Sequence, residues 1–179
     1  MKLVILDRDG VINKDSVHSI KSPEEWVPIE GSLEAISLLN KNGYTVVVAT
    51  NQSAIGKKLI SNITLDNIHK KMQDLLDKKN GKIDKIFYCP HVKEDDCACR
   101  KPKTGLMQKI KEHYSINLEK IPAIGDSIRD LEAYSKSEAQ PILVRTGNGK
   151  DVEKKKSFPS NTLIFDNLLE ASKLIIKME

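Results

Sequence analysis

The amino-acid sequence predicts an α/β protein built on one doubly wound parallel sheet with helices on both faces. Short, almost continuously apolar runs recur along the 179 residues, and amphipathic segments alternate with them. Apolar runs of strand length are typical of parallel strands that are buried on both sides. Regular alternation of strand and helix favours a doubly wound sheet. We therefore predict a single Rossmann-like domain over residues 1–179, without a large cap domain.

Six apolar runs are predicted to be the strands of this sheet. The first, "KLVILD", and the second, "YTVVVATN", are rich in β-branched residues, which favour strands. No linker, repeat or low-complexity segment separates the runs, as expected for one sheet. The predicted strands lie at residues 2–7, 44–51, 85–89, 121–126, 141–146 and 162–165.

Five segments are predicted to be helices, because their apolar residues recur three or four positions apart. They lie at residues 32–43, 64–79, 105–116, 127–137 and 167–178. Ser32 and Thr64 are the predicted N-caps of the first two helices, and Gly43 is predicted to end the first. The stretch "GNGKD", residues 147–151, lacks the spacing of a phosphate-binding loop, so we predict a turn after the fifth strand.

The composition argues against a membrane or a nucleic acid as partner. The chain is 39% hydrophobic with a net charge of +4, which is ordinary for a globular domain. No apolar run could span a bilayer and no signal-peptide cleavage site follows the first residues, so we expect a cytoplasmic protein. Few aromatic residues are available to stack on bases. We expect a monomer. The mild positive charge is compatible with small anionic substrates.

Carboxylates follow two of the predicted strands. "LDRDGV" places Asp7 and Asp9 after the first strand, and "IGDSIRD" places Asp126 after the fourth, with Asp130 one helical turn later. Ligands of doubly wound sheets bind outside the carboxyl ends of the strands, so these side chains are expected to meet there. Each aspartate alone is also typical of a turn or a helix cap. Together they would repel one another without a cation, and hard oxygen ligands suit Mg²⁺.

Uncharged and cationic groups follow the second and third predicted strands at the same edge of the sheet. "ATNQS" ends the second strand with Thr50 and Asn51, which can hold phosphate oxygens without adding charge. Lys101 precedes the third predicted helix, near whose N-terminus an anion is favoured.

Arginine is rare, since only four of the 29 basic residues are arginine. We assign Arg100 to bidentate recognition of an anionic substrate group, for which the guanidinium is suited. Arg8 and Arg129 are predicted to make structural ion pairs.

All three cysteines lie in "CPHVKEDDCACRKP", residues 89–102. Three thiolates and one imidazole make a complete tetrahedral zinc set, namely Cys89, His91, Cys97 and Cys99. In a reducing compartment such a cluster suggests a metal rather than a disulfide; the alternative is three free thiols. Because four protein ligands leave no open position, we predict a structural zinc in loop 89–99. This zinc would fix the direction of Arg100 and Lys101.

The motifs "LDRDGV", "ATNQS", "CRKPKTG" and "IGDSIRD" resemble, in order and over nearly the whole chain, those of the haloacid dehalogenase-like phosphatases. "CPH…CxCRKP" resembles the branch of histidinol-phosphate and D-glycero-D-manno-heptose-1,7-bisphosphate phosphatases. "KSPEEWVPIEGSLEAISLLN" looks more like the heptose enzymes. The resemblance implies Mg²⁺-dependent removal of the 7-phosphate of the heptose bisphosphate, for the lipopolysaccharide core. Histidinol phosphate is the alternative substrate.

The resemblance also implies a role for each matched residue. Asp7 would attack phosphorus to form an aspartyl-phosphate, and Asp9 would act as general acid and then general base. Mg²⁺ would be held by Asp7, the backbone carbonyl of Asp9, and Asp126. Thr50 and Lys101 would stabilise the transferring phosphoryl group. The substrate would be contacted by Asp15, His18, Asn51, Gln52, Ser53 and Arg100.

The chain departs from the family after "NQS". Ala54 stands where a glycine is common, and Lys57–Lys58 where an arginine–glycine pair is common. These different residues are expected to alter the shape of the loop and its contacts with the distal part of the substrate. His69 and His113 lie in predicted helices and are interpreted as partly buried or surface residues rather than ligands.

Two alternatives come from other functional classes. A phospho-receiver signalling domain also combines a doubly wound sheet with Asp, Thr and Lys. Asp9 argues against it, because an acid next to the nucleophile promotes turnover. A zinc-stapled binding module without catalysis would not need the set of Asp7, Asp9, Lys101 and Asp126.

Overall fold

The computed structural model describes residues 1–178 and contains one sheet of six parallel strands. The strands are β1 (Leu3–Leu6), β2 (Thr45–Asn51), β3 (Lys85–Cys89), β4 (Pro122–Gly125), β5 (Gln140–Val144) and β6 (Leu163–Phe165). Their order across the sheet is β3-β2-β1-β4-β5-β6. This is the doubly wound order, and it confirms the predicted fold class.

Within residues 1–178, six α-helices cover both faces of the sheet. They are α1 (Ser32–Lys41), α2 (Asn62–Asp77), α3 (Gly105–Tyr114), α4 (Ile128–Lys136), α5 (Gly149–Lys155) and α6 (Leu168–Lys177). Apolar residues of α1, α2 and α6 share one core, and those of α3, α4 and α5 lie in the clusters of the other face. No helix within residues 1–178 is long and apolar enough to cross a membrane.

Strand β1 serves both cores because successive side chains of a strand point to opposite faces. Val4 and Leu6 pack with α1, α2 and α6, whereas Leu3 and Ile5 pack on the opposite side with α3. All four are at most 1% exposed. Burying such a side chain contributes roughly 1.5–3 kcal/mol each. The residue that follows β1 is therefore held at the centre of a rigid sheet.

The winding of the chain reverses between β1 and β4, which are neighbours in the sheet. A crevice forms outside the carboxyl ends of two such strands, and ligands of this fold class bind there. Asp7 follows β1 and Asp126 follows β4, so both lie at the crevice. Residues 7–31 connect β1 to α1, and no helix or further sheet is inserted in this connection.

Two predicted N-caps are wrong. Gly31, with φ of 81°, precedes α1, and the hydroxyl of Ser32 instead donates to the carbonyl of Ile12 at 2.7 Å. Helix α2 begins two residues before Thr64, because the hydroxyl of Ser61 accepts the Thr64 N–H at 3.1 Å.

The turn predicted at residues 147–151 is confirmed for its first two residues and wrong for the rest, because α5 begins at Gly149. The helix is stabilised by tertiary packing rather than by its own sequence: Val152 packs with Leu131 and Leu143. Arg145 adds an ion pair from its Nε to Glu153 Oε2 at 2.7 Å. Such contacts are invisible in a seven-residue window of glycine and charged residues.

Candidate active site

A polar cleft lies at the carboxyl edge of the sheet and collects all but one of the residues predicted to take part in catalysis, Mg²⁺ binding and substrate contact. Those that line it are Asp7, Asp9, Asp15, Thr50, Asn51, Gln52, Ser53, Arg100, Lys101 and Asp126. His18 is exposed and does not line the cleft, although Ser16, Val17 and Ser19 of the same loop do. Lys57 and Ala54 line it as well, and Ala54 also packs with Ile60.

The ammonium of Lys101 lies among three buried carboxylates. Its Nζ is 3.1 Å from Asp7 Oδ1 and 2.5 Å from Asp130 Oδ1. Oxygens of Asp7, Asp126 and Asp130 all lie within 4.8 Å of one another. Buried charges of one sign need compensation, and one lysine cannot balance three carboxylates. The cluster therefore requires protons or a further cation.

The pKa values of the carboxyl groups express this excess of negative charge. Burial, followed by the charge of Asp130, raises the pKa of Asp7 to about 7. Burial, followed by the charges of Asp130 and Asp7, raises the pKa of Asp126 to about 8. Burial lowers the pKa of Lys101, but Asp130 and Asp7 outweigh it and raise that pKa well above its usual value. Lysine thus stays charged while the carboxyls hold protons that a metal could replace.

The donor set fits Mg²⁺. Asp130 is already engaged, because its Oδ2 accepts both the N–H of Ser127 at 3.0 Å and the Ser127 hydroxyl at 2.6 Å, while its Oδ1 faces Lys101. Asp7 and Asp126 are thus the carboxylates that could hold a metal ion, and the resemblance adds the backbone carbonyl of Asp9 as a third oxygen. Hard oxygen ligands and room for water in an open polar cleft suit this ion.

Asp9 has the opposite electrostatic environment from Asp7. Its carboxylate accepts hydrogen bonds from Arg8, from Asn13 Nδ2 at 2.9 Å and from Gln52 Nε2 at 2.8 Å. Burial opposes ionisation, but the charge of Arg8 and these hydrogen bonds outweigh it and lower the pKa of Asp9. The Arg8–Asp9 ion pair, at 3.0 Å, confirms the structural role predicted for Arg8.

Arg129 does not make the predicted ion pair with any of residues 1–178, so that prediction is wrong. It lies at the start of α4, where its side chain lines the cleft beside Arg100. Arg129 is thus an additional candidate for substrate contact.

Asn148 is a site residue that the sequence interpretation missed. Its backbone N–H and its Nδ2 donate to Asp126 Oδ2 at 2.8 and 3.0 Å, and Nδ2 lies 3.3 Å from Asp15 Oδ2. The preceding Gly147 has φ of +56°, and a Cβ there would lie 2.1 Å from Asp126 Oδ2. The available signal was an Asn-Gly pair directly after the fifth strand, at the same edge as the aspartates.

Asn51 holds the backbone of Lys101 through two reciprocal hydrogen bonds. Its Oδ1 accepts the Lys101 N–H at 3.0 Å, and its Nδ2 donates to the Lys101 carbonyl at 3.1 Å. The side-chain amide predicted to contact substrate is therefore engaged with the protein itself.

The four predicted zinc ligands converge in the loop after β3. The sulfur of Cys99 is 3.1 Å from that of Cys89 and 3.6 Å from that of Cys97, and His91 Nδ1 is 3.4 Å from Cys99 Sγ. Zinc–sulfur bonds of about 2.3 Å in a tetrahedron place ligand atoms about 3.8 Å apart, so the cluster is close to the size of a zinc site. The cysteines form no disulfide. Arg100 Nη1 donates to the carbonyl of His91 at 3.2 Å, which ties the guanidinium to this loop.

A doubly wound sheet with aspartates after β1 and β4, and a threonine and a lysine between them, is the arrangement of the haloacid dehalogenase-like phosphatases. A family model described as "Polynucleotide kinase 3 phosphatase" matches residues 2–158, and the chain belongs to this family.

Similar proteins carry a more specific name. The chain is 49% identical over 176 residues to a D-glycero-beta-D-manno-heptose-1,7-bisphosphate 7-phosphatase of Pseudomonas putida, covering 98% of this chain and 100% of the relative. A crystal structure of the D,D-heptose 1,7-bisphosphate phosphatase from Bordetella bronchiseptica, complexed with magnesium and phosphate, is 43% identical with a TM-score of 0.99, and each chain is covered completely. The corresponding enzyme from Burkholderia thailandensis is 39% identical with a TM-score of 0.80, covering 98% of this chain and 99% of that one.

We expect Mg²⁺ binding at this cluster to weaken as the pH is lowered from 8 to 6. The pKa values of about 7 for Asp7 and about 8 for Asp126 mean that the metal displaces protons in this range. Titration calorimetry with Mg²⁺ should show an affinity loss of roughly tenfold per pH unit for each proton displaced. Equal affinity at pH 6 and pH 8 would contradict this. The exposed Asp151→Asn variant should keep the pH dependence.

The same pKa shifts give a stability prediction of defined sign. The unfolded carboxyl groups ionise near pH 4, whereas folded Asp7 and Asp126 keep their protons up to about pH 7 and 8. The free energy of unfolding of the metal-free protein should therefore fall as the pH rises from about 4 to about 8. Saturating Mg²⁺ should reduce that fall in chemical denaturation experiments.

The Asn148→Ala variant should bind Mg²⁺ about tenfold more weakly, because groups that orient metal ligands typically contribute 10- to 100-fold to affinity. We expect the lower end of that range, since the backbone N–H of residue 148 still donates to Asp126. Calorimetric Mg²⁺ titration checks this without depending on turnover. Asn161→Ala, at an exposed position, is the matched control. An unchanged dissociation constant for Mg²⁺ in Asn148→Ala would contradict the role of Asn148 in orienting Asp126.

Proposed function

We propose that the protein is a Mg²⁺-dependent phosphatase that removes the 7-phosphate of D-glycero-D-manno-heptose 1,7-bisphosphate. The observation that carries the proposal is the buried cluster of Asp7, Lys101 and Asp126 at the point where the sheet winding reverses. The full-length similarity to relatives named as heptose bisphosphate phosphatases supports this substrate. The product would enter nucleotide-activated heptose synthesis for lipopolysaccharide.

The first half of the reaction is nucleophilic attack. Asp7 is held at the end of a buried strand, and its carboxylate attacks phosphorus to form an aspartyl-phosphate as the sugar oxygen leaves. Asp7, Asp126 and the backbone carbonyl of Asp9 would hold Mg²⁺, which would supply the positive charge that lets one anion approach another. The Lys101 ammonium and the Thr50 hydroxyl stabilise charge on the phosphoryl oxygens.

Asp9 serves both halves of the reaction. A phosphate dianion placed beside it raises its pKa by like-charge repulsion, which favours the protonated form that the leaving oxygen needs. After the sugar departs, the hydrogen bonds from Arg8, Asn13 and Gln52 again favour the ionised form. That form takes a proton from the water that hydrolyses the aspartyl-phosphate.

The charges around the cleft favour a bisphosphate over histidinol phosphate. Arg100, Arg129 and Lys57 line the cleft in addition to Lys101. A second phosphate would be attracted to these cations, whereas the ammonium group of histidinol phosphate would be repelled by them. Asp15 and Ser53 line the same space and can accept hydrogen bonds from sugar hydroxyls.

We further propose that loop 89–99 binds one structural Zn²⁺. A polar, acidic loop has little apolar surface with which to fold, and a metal can provide that free energy. Fixing Cys99 and His91 holds Arg100, whose guanidinium donates to the His91 carbonyl. The chain would act as a single-domain cytoplasmic monomer, without nucleic-acid or membrane partners.

The substrate is tested by phosphate release with and without Mg²⁺ from three compounds in parallel: heptose 1,7-bisphosphate, histidinol phosphate and a 3′-phosphorylated oligonucleotide. We expect strong preference for the heptose bisphosphate and loss of its turnover in Asp7→Asn and Asp9→Asn. Preference for either of the other two compounds would refute the proposed substrate but would leave the proposed mechanism standing. Turnover of none would refute the proposed function.

Zinc removal is expected to raise KM for the bisphosphate rather than to abolish the chemistry. A loosened Arg100 loses a hydrogen bond between charged groups, which corresponds to roughly tenfold or more. The measurement is steady-state kinetics of chelator-treated protein whose fold is verified by circular dichroism. Arg100→Ala in the zinc-loaded protein should give a similar increase in KM. Full activity of folded, zinc-free protein would contradict the role of the loop.

A further inference from the structure

Arg8 lies between the two aspartates of "LDRDGV", and its side chain is fully enclosed by the protein. Its Nη2 donates to both carboxylate oxygens of Asp9, at 3.0 and 3.1 Å, and its Nε donates to one of them at 3.2 Å. The same Nη2 donates to Gln52 Oε1 at 3.0 Å, and Nη1 lies 3.1 Å from His69 Nε2. The proposed mechanism uses Asp9 and the hydrogen bonds that Arg8 donates to it, but leaves His69 without a part in the reaction.

The direction of the hydrogen bond between Arg8 and His69 follows from chemistry. An arginine side chain has only donors, so Nε2 of His69 must be the unprotonated nitrogen that accepts. Burial, followed by the charge of Arg8, lowers the pKa of His69 to about 3, and the imidazole is therefore neutral. The ring is also packed edge-on to Tyr88, with 6.4 Å between centroids.

Arg8 also sets the orientation of the Gln52 amide. Because Arg8 donates to Oε1, the amide nitrogen faces the other way, where it donates to Asp9 Oδ2 at 2.8 Å and to Thr50 Oγ1 at 3.0 Å. Thr50 accepts this bond and keeps its own proton for donation into the cleft. A single chain of hydrogen bonds thus runs from His69 to the groups that face the substrate.

We propose that His69 is a positioning residue for the acid–base carboxylate of Asp9 and acts through Arg8. By accepting a hydrogen bond from Nη1, His69 holds the guanidinium plane in the orientation in which Arg8 donates to Asp9 and Gln52. Without this acceptor, a buried N–H of Arg8 loses its partner, which is costly, and the guanidinium turns away from Asp9 to find another. The inference rests on the proposed function, since it assumes that Asp9 protonates the leaving oxygen.

The test compares two substitutions on two phosphate esters. His69→Leu removes the acceptor and keeps an apolar side chain, whereas His69→Gln keeps an acceptor. The readout is release of the leaving group in the first turnover, measured by rapid quench. A sugar alcohol needs protonation as it leaves, whereas p-nitrophenolate needs little.

We expect His69→Leu to slow first-turnover release from heptose 1,7-bisphosphate roughly tenfold, as for loss of a hydrogen bond to a charged group, with little change in KM. Release from p-nitrophenyl phosphate should slow far less, and His69→Gln should restore most of the rate on the sugar. His113→Leu, at an exposed position on α3, is the matched histidine control and should behave as the unmodified protein.

Equal slowing on both esters would overturn the proposal, because a merely structural defect does not distinguish leaving groups. An undiminished rate in His69→Leu would overturn it as well, and so would a His69→Gln variant as slow as His69→Leu. Asp9→Asn separates this inference from the proposed function. If Asp9→Asn is slow on the sugar while His69→Leu is not, only the positioning role fails; if Asp9→Asn is itself fast, the proposed mechanism fails.

Discussion

The buried ammonium of Lys101 is the interaction on which the active edge of this sheet depends. It joins Asp7 after β1 to Asp130 on α4, and it donates to the carbonyl of Ala49 on β2 at 2.7 Å. Breaking such a buried pair by removing one partner typically costs about 3–5 kcal/mol, because the other charge is left without compensation. The lysine still leaves the cluster short of positive charge. The same deficit of positive charge would favour the binding of a divalent cation.

The two aspartates of "LDRDGV" show how neighbouring residues acquire different chemistry. Asp7 points into the carboxylate cluster, where burial and like charge raise its pKa to about 7. Asp9 points the other way, where Arg8 and two side-chain amides favour the ionised form. A carboxyl group that a metal could deprotonate and a carboxylate that is ionised without one can thus lie two residues apart.

Much of the fold was predictable from the sequence, because parallel strands buried on both faces leave an unmistakable apolar pattern in runs such as "YTVVVATN". The order of catalytic motifs was readable for a related reason: each follows a strand. Helix α5 was not predictable, since its stability comes from Val152 packing on Leu131 and Leu143 rather than from local propensity. Asn148 was missed because its function depends on distance to Asp126, which the turn-like "GNG" does not reveal. Arg129 was misassigned because its neighbours in space are known only from the fold.

The paired hydrogen bonds between Asn51 and the backbone of Lys101 imitate the pairing of one strand with the next. They join the last residue of β2 to the chain just beyond the loop that follows β3, while the backbone of Asn51 pairs with Cys89 in the sheet. The loop that follows β3 is therefore anchored twice, once at its beginning by the sheet and once at its end by an amide side chain. Residues 92–96, which lie between the proposed zinc ligands His91 and Cys97, can therefore change in sequence without moving Lys101. Variation among relatives should accumulate in this stretch rather than at the anchors or at the proposed zinc ligands.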